Sequence, residues 1–113
     1  MNDNERFELF VTTIRHHRTI WLLEAKPGLF AMLEDNNENA YIPIWHTEAE
    51  AQNAVQGDWQ TYKASPMAFD ELHEWLKELE TDAIDIAVFP DGNGKILPLK
   101  PSQLKQFIES VKS

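Results

Sequence analysis

The chain reads as an α+β protein, with a mixed, largely antiparallel sheet of about five to six short strands and about four helices packed on it. Three observations carry that reading. Apolar residues recur with helical spacing in four separate segments. Short β-branched and aromatic runs follow one another across turns, which favours strands paired with their sequence neighbours over a doubly wound parallel sheet. Neither a linker nor an internal repeat interrupts the 113 residues, so one domain is expected over 1–113. The predicted order is α-β-β-β-α-β-α-β-β-α.

The first helix is expected over about 3–18. Phe7, Phe10, Val11 and Ile14 fall at i, i+3, i+4 and i+7 and share a face. Asp3 or Asn4 suits the N-terminal cap, and Arg15, His16, His17 and Arg18 complement the negative end of the helix dipole. Residues 19–25 form a strand by their β-branched and aromatic content. Lys26-Pro27-Gly28 turns the chain, and 29–34 runs back as a hairpin. After the polar loop 35–39, residues 41–45 form a third strand. There Pro43, which has no N–H to donate, demands an edge or a bulge.

Thr47-Glu48-Ala49-Glu50 is a capping box. It opens a short helix to about Gln56, with Ala51, Ala54 and Val55 inward and Gly57 as its stop. Residues 59–64 read as a strand, and Ser65-Pro66 as the opening of a helix. Phe69, Leu72, Leu76 and Leu79 of that helix face the core, with Trp75 beside the stripe. Residues 83–89 are apolar at nearly every position except Asp85, as a central buried strand would be. Asp91-Gly92-Asn93-Gly94 turns into a short strand at 95–97. The last helix begins near Pro101 and turns Leu104, Phe107, Ile108 and Val111 inward.

Composition removes several functions. With no cysteine, disulfides, thiolate metal sites and thiol catalysis are excluded, and a reducing compartment suits the chain. Residues 1–5 carry neither a basic segment nor an apolar run, and no apolar stretch approaches the length of a membrane span. The protein is therefore read as cytoplasmic and without a membrane partner. Its 19 acidic and 10 basic residues leave a net charge of −9, and outside positions 15–18 the basic residues are scattered. Nucleic acid demands a basic footprint, so it is not an expected partner.

Reactive constellations fail one by one. The segment 91–96 resembles part of a calcium loop. Aligned on its glycine, however, the first ligand position falls on Phe89 and the twelfth on Lys100. His16 and His17 point apart on a helix, and Asp70 with His73 supplies only two ligands at i, i+3. The serines lie at helix starts or in the last turn, and no Gly-x-Ser-x-Gly elbow or phosphate-binding glycine loop exists. No catalytic residue, cofactor site or metal site is assigned, and a non-enzymatic protein is expected.

The remaining signal is aromatic. Four tryptophans in 113 residues, Trp21, Trp45, Trp59 and Trp75, serve either core packing or interface contact. Trp45 and Trp59 flank the short helix, near His46, Asp58 and Tyr62. That neighbourhood is the candidate interaction surface, for a protein partner or a second copy of the chain. Two other readings compete. An acidic immunity or inhibitor protein would neutralise a basic partner with clustered acids such as Asp35, Glu38, Glu48 and Glu50. A small ligand binder or enzyme would open a pocket near Trp45.

The chain also resembles a bacterial family catalogued as domain of unknown function 2750. The resemblance rests on Ile20-Trp21-Leu22-Leu23, on Tyr41-Ile42-Pro43-Ile44-Trp45 followed by Glu48 and Ala51, and on Gly57, Trp59 and Phe69. It continues through Trp75-Leu76 and Leu79 to Ala87-Val88-Phe89-Pro90. It covers nearly the whole chain and implies a single bacterial α+β domain. It brings no catalytic residue, because the family has no assigned activity.

Overall fold

The computed structural model describes residues 3–34, 37–88 and 97–112, with the backbone alone at Asp3, Asp58, Val111 and Lys112. The elements are α1 (Asp3–His17), β1 (Thr19–Lys26), β2 (Leu29–Phe30), β3 (Leu33–Glu34), β4 (Ala40–Ile44), α2 (Glu48–Asn53) and a 3-10 turn (Gly57–Trp59). They continue as β5 (Lys63–Ala68), α3 (Phe69–Thr81), β6 (Asp85–Val88), β7 (Leu97–Leu99) and α4 (Pro101–Lys112). The α+β class is as the sequence predicts, and the order of elements matches except that four strands, not three, stand between α1 and α2. The strands, however, divide between a three-stranded sheet, β2-β1-β5, and a four-stranded sheet, β3-β4-β6-β7. Every pairing is antiparallel except β4 with β6.

One bridge joins the sheets. Trp21 and Trp45 exchange two backbone hydrogen bonds, each 2.9 Å long. This pairing explains two of the three prolines that sit in strands, Pro43 and Pro66; the third, Pro98, lies in the edge strand β7. Backbone polar groups alternate sides along a strand, so Pro43, two residues before Trp45, points its nitrogen to the same side as Trp45. On that side β3 reaches only to Tyr41 and β1 begins only at Trp45, which leaves Pro43 in the gap. The sequence asks for an edge or a bulge at Pro43. β4 is an interior strand with a local edge there, where it changes partners. Trp21 spends its own N–H and C=O on Trp45, so Pro66, opposite Trp21 on β5, faces a position that needs no donor. The Ser65-Pro66 pair therefore lies inside a strand. The predicted strand at 59–64 is replaced by the 3-10 turn and β5, and the helix starts at Phe69.

The predicted return strand at 29–34 is likewise two short pieces. β2 pairs with β1, and β3 pairs with β4 in the other sheet. Gly28, at φ 82, supplies the left-handed conformation that a Pro-Gly turn needs at its third residue. The turn at 91–94, the strand start at 95–96 and the strand end at Phe89 lie outside the described residues.

β1 is buried on both faces and so feeds two cores. Ile20 and Leu22 point into the larger one, with Phe10, Ile14, Ile42, Ile44, Leu72, Leu76, Ile86, Val88, Leu104 and Ile108. Leu23 points the other way, into a small core with Ala31, Trp45 and Ala51, and Trp21 packs against it. Helices α1, α3 and α4 cover the first core, whereas α2 and the 3-10 turn cover the second.

Helix ends show how each boundary is set. Thr47 Oγ1 accepts from the Glu50 N–H at 3.1 Å, the expected half of the capping box. α4 opens with Pro101 at its first position, and the Gln103 side chain takes the Lys100 N–H at 2.9 Å. α3 ends in a Schellman motif. The Ile84 N–H donates to the Leu79 carbonyl at 2.9 Å and the Ala83 N–H to that of Glu80 at 3.2 Å, with Ala83 at φ 58. Ala83 and Ile84 therefore finish a helix, and β6 starts at Asp85 and not at 83. Asp85, the polar exception in that strand, pairs with Lys100 at 3.1 Å.

Candidate functional site

The predicted surface comes together, but mostly as interior. Trp45 leaves β4 on the face opposite Ile44 and enters the second core, where only 1% of it is exposed. Trp59, placed by the 3-10 turn, meets it edge to face, with ring centroids 6.1 Å apart and planes at 87°. Ala51, Ala54 and Val55 of the α2 region, with Ala64 of β5, line the same cluster. Their small side chains let the helix sit close to the sheet. Trp59 and Tyr62 are half-buried against it. The Asp58 side chain lies outside the described residues.

His46 is 5% exposed. Burial pushes its pKa below the ordinary 6.5, partly opposed by the nearby Glu50 carboxylate. His46 thus lies buried at the junction between β4 and α2. His73 Nε2 reaches Glu109 on α4 at 3.0 Å, and that hydrogen bond holds the Glu109 carboxyl below its usual range. Among the described residues, no group of three or more His, Asp or Glu is placed to hold a metal. No helix among the described residues is long and apolar enough to cross a membrane.

A different feature lies on the other face of the β2-β1-β5 sheet. Glu24 stands opposite Phe30 on β2 and opposite Lys63 on β5, so it continues the face that carries Ile20, Leu22 and Met67. At the margin of the larger core, to which Met67 belongs and against which Phe30 and Trp75 pack, this face opens as a groove of about 400 Å³ against α3. Phe30, Met67 and Trp75 form its floor, and the Phe30 and Trp75 rings lie 5.0 Å apart at 49°. Its rim carries Glu24, Glu71, Glu74 and Glu78. Glu71, Glu74, Trp75 and Glu78 fall at i, i+3, i+4 and i+7 and therefore share one face of α3. Two rim carboxylates already have partners. Glu24 accepts from the Gly28 N–H at 3.0 Å, and Glu74 meets Lys77 at 3.3 Å.

Sequence reasoning missed this groove. The i, i+4 and i+7 relation of Glu71, Trp75 and Glu78 was readable, but Phe30 and Glu24 join it only through the hairpin register. The acids expected to cluster were Asp35, Glu38, Glu48 and Glu50, and the groove gathers a separate set. A second groove of about 270 Å³ runs between α1 and α4, lined by Phe7, Val11 and Phe107 and flanked by Gln103 and Gln106.

A search of the curated proteins finds no match. A family model described as Protein of unknown function (DUF2750) matches residues 7–108, from α1 through most of α4. That span takes in both sheets, both cores and the acidic groove, and the chain belongs to the DUF2750 family.

Proposed function

We propose that this protein is a bacterial cytoplasmic interaction module without catalytic chemistry, which meets a partner protein at the groove over Phe30 and Trp75. The observation that carries this reading is the contrast between the two aromatic sites. Trp45 is spent on an interior core, whereas Phe30 and Trp75 floor an open groove ringed by charge. Partly exposed aromatics inside a polar rim are the usual anatomy of a contact patch. Burial of Trp45 and His46 argues against a ligand pocket opening at that junction.

The remaining part of the predicted surface is the half-buried edge formed by Trp59 and Tyr62. In-cell photocrosslinking separates the two. A photoreactive side chain at Leu29, beside the groove and 54% exposed, is compared with one at Tyr62. The groove reading expects a discrete product from position 29 and none from position 62. A product from position 62 alone would return the contact to the Trp45 junction, and no product from either would remove the module reading. A product of twice the chain's mass from position 29 would identify the partner as a second copy.

A further inference from the structure

Resting on that reading, we infer that the occupant of the Phe30–Trp75 groove is an extended, arginine-bearing segment of the partner protein. The argument is charge complementarity over an aromatic floor. Four carboxylates, Glu24, Glu71, Glu74 and Glu78, surround the groove. On α3 they repel one another at i, i+3 and i, i+4 spacings, an arrangement that a bound cation relieves. The cations already present are weak competitors. Lys77 reaches Glu74 with side chains 49% and 72% exposed, a solvent-screened pair that a guanidinium displaces readily, and Lys63 stands across the sheet from Glu24.

Arginine fits better than lysine. Its planar guanidinium stacks on a Trp face and takes carboxylates in a two-point fork, which a compact ammonium does not. An acidic segment is repelled, and an uncharged apolar one leaves the rim carboxylates desolvated without partners. The rim also favours a chain over a small cation. Glu71 and Glu78 lie seven residues apart on the helix, roughly 10 Å along its axis. Two side chains three residues apart on a segment extended like polyproline II share a face and span roughly 9 Å. The net charge of −9 steers a basic segment toward the protein at a distance.

The test uses the full chain labelled with nitrogen-15. Three probes are titrated in: a blocked glycine-rich peptide with two arginines three residues apart, the same peptide with glutamates, and spermidine. The Trp75 indole N–H is assigned through Trp75→Phe. The arginine peptide is expected to move that resonance and leave the Trp45 indole in place. Binding should weaken at least about tenfold in Glu71→Gln/Glu78→Gln and also weaken with added salt. Both glutamates are exposed, so an unchanged amide spectrum verifies that the variant is folded.

The inference is overturned if the arginine peptide leaves Trp75 unmoved, or binds the double variant equally well. It is overturned too if the glutamate peptide binds as tightly, or if spermidine outcompetes the arginine peptide. A crosslinked partner from position 29 together with a silent arginine peptide would keep the module and discard the cationic occupant.

Discussion

At the scale of single residues, Ala83 and His46 each occupy a setting that their side chains do not prefer. Ala83 occupies the left-handed position of the α3 Schellman motif, where glycine avoids the clash between Cβ and the following carbonyl. Ala83→Gly should therefore raise unfolding free energy by about 1 kcal/mol, read from the urea midpoint at unchanged slope. His46 is buried with a lowered pKa, so the folded protein binds its proton less readily than the unfolded chain does. Above 6.5 both states are neutral and its contribution to stability is intact. As pH falls through 6.5 and then through the lower folded value, the unfolded chain protonates first and stability is lost. Proton NMR should show the His46 ring titrating below 6.5, and unfolding free energy should fall over the same interval. Titration at or above 6.5 would contradict the burial.

At the scale of elements, the small core is where sequence and structure are most usefully compared. Thr47-Glu48-Ala49-Glu50, the inward alanines and the nearness of Trp45 to Trp59 were all legible, because caps and helical spacing are local signals. The partner change of β4 was not legible. Pro43 announced a missing donor, but only the Trp21–Trp45 bridge shows why an interior strand tolerates it. Pro66 misled for the same reason. A proline opens a helix or sits in a strand according to which side its nitrogen faces, and the neighbouring strand decides that. Ala83 misled because an alanine at a helix stop carries none of the glycine signal that marks the boundary.

The energetics of that small core follow from its burial. Trp45→Ala should cost about 3–5 kcal/mol, the range for emptying a buried aromatic site. A double-mutant cycle with Trp59→Ala should return about 0.5–1.5 kcal/mol for the edge-to-face pair. Thr47→Ala should cost about 1 kcal/mol through loss of the α2 cap. Additive effects of the two tryptophan changes, measured by denaturant unfolding, would show that the rings do not act as a pair.

At the scale of the whole molecule, β1 is buried on both faces and separates the four tryptophans into two sites. Trp21, Trp45 and Trp59 gather on one side and build a core that fastens α2 to the sheet. Trp75 and Phe30 stay on the other side, packed at the margin of the main core, and the carboxylates of α3 gather around them. On the proposed reading, stability and partner binding respond to different substitutions. The most direct test is the crosslinking yield from position 29, measured with the melting temperature in two backgrounds. In Glu71→Gln/Glu78→Gln the yield should collapse at an unchanged melting temperature. In Trp45→Phe the melting temperature should fall while the folded protein keeps its yield. An undiminished yield in the glutamine variant, or a yield lost in folded Trp45→Phe, would contradict the account.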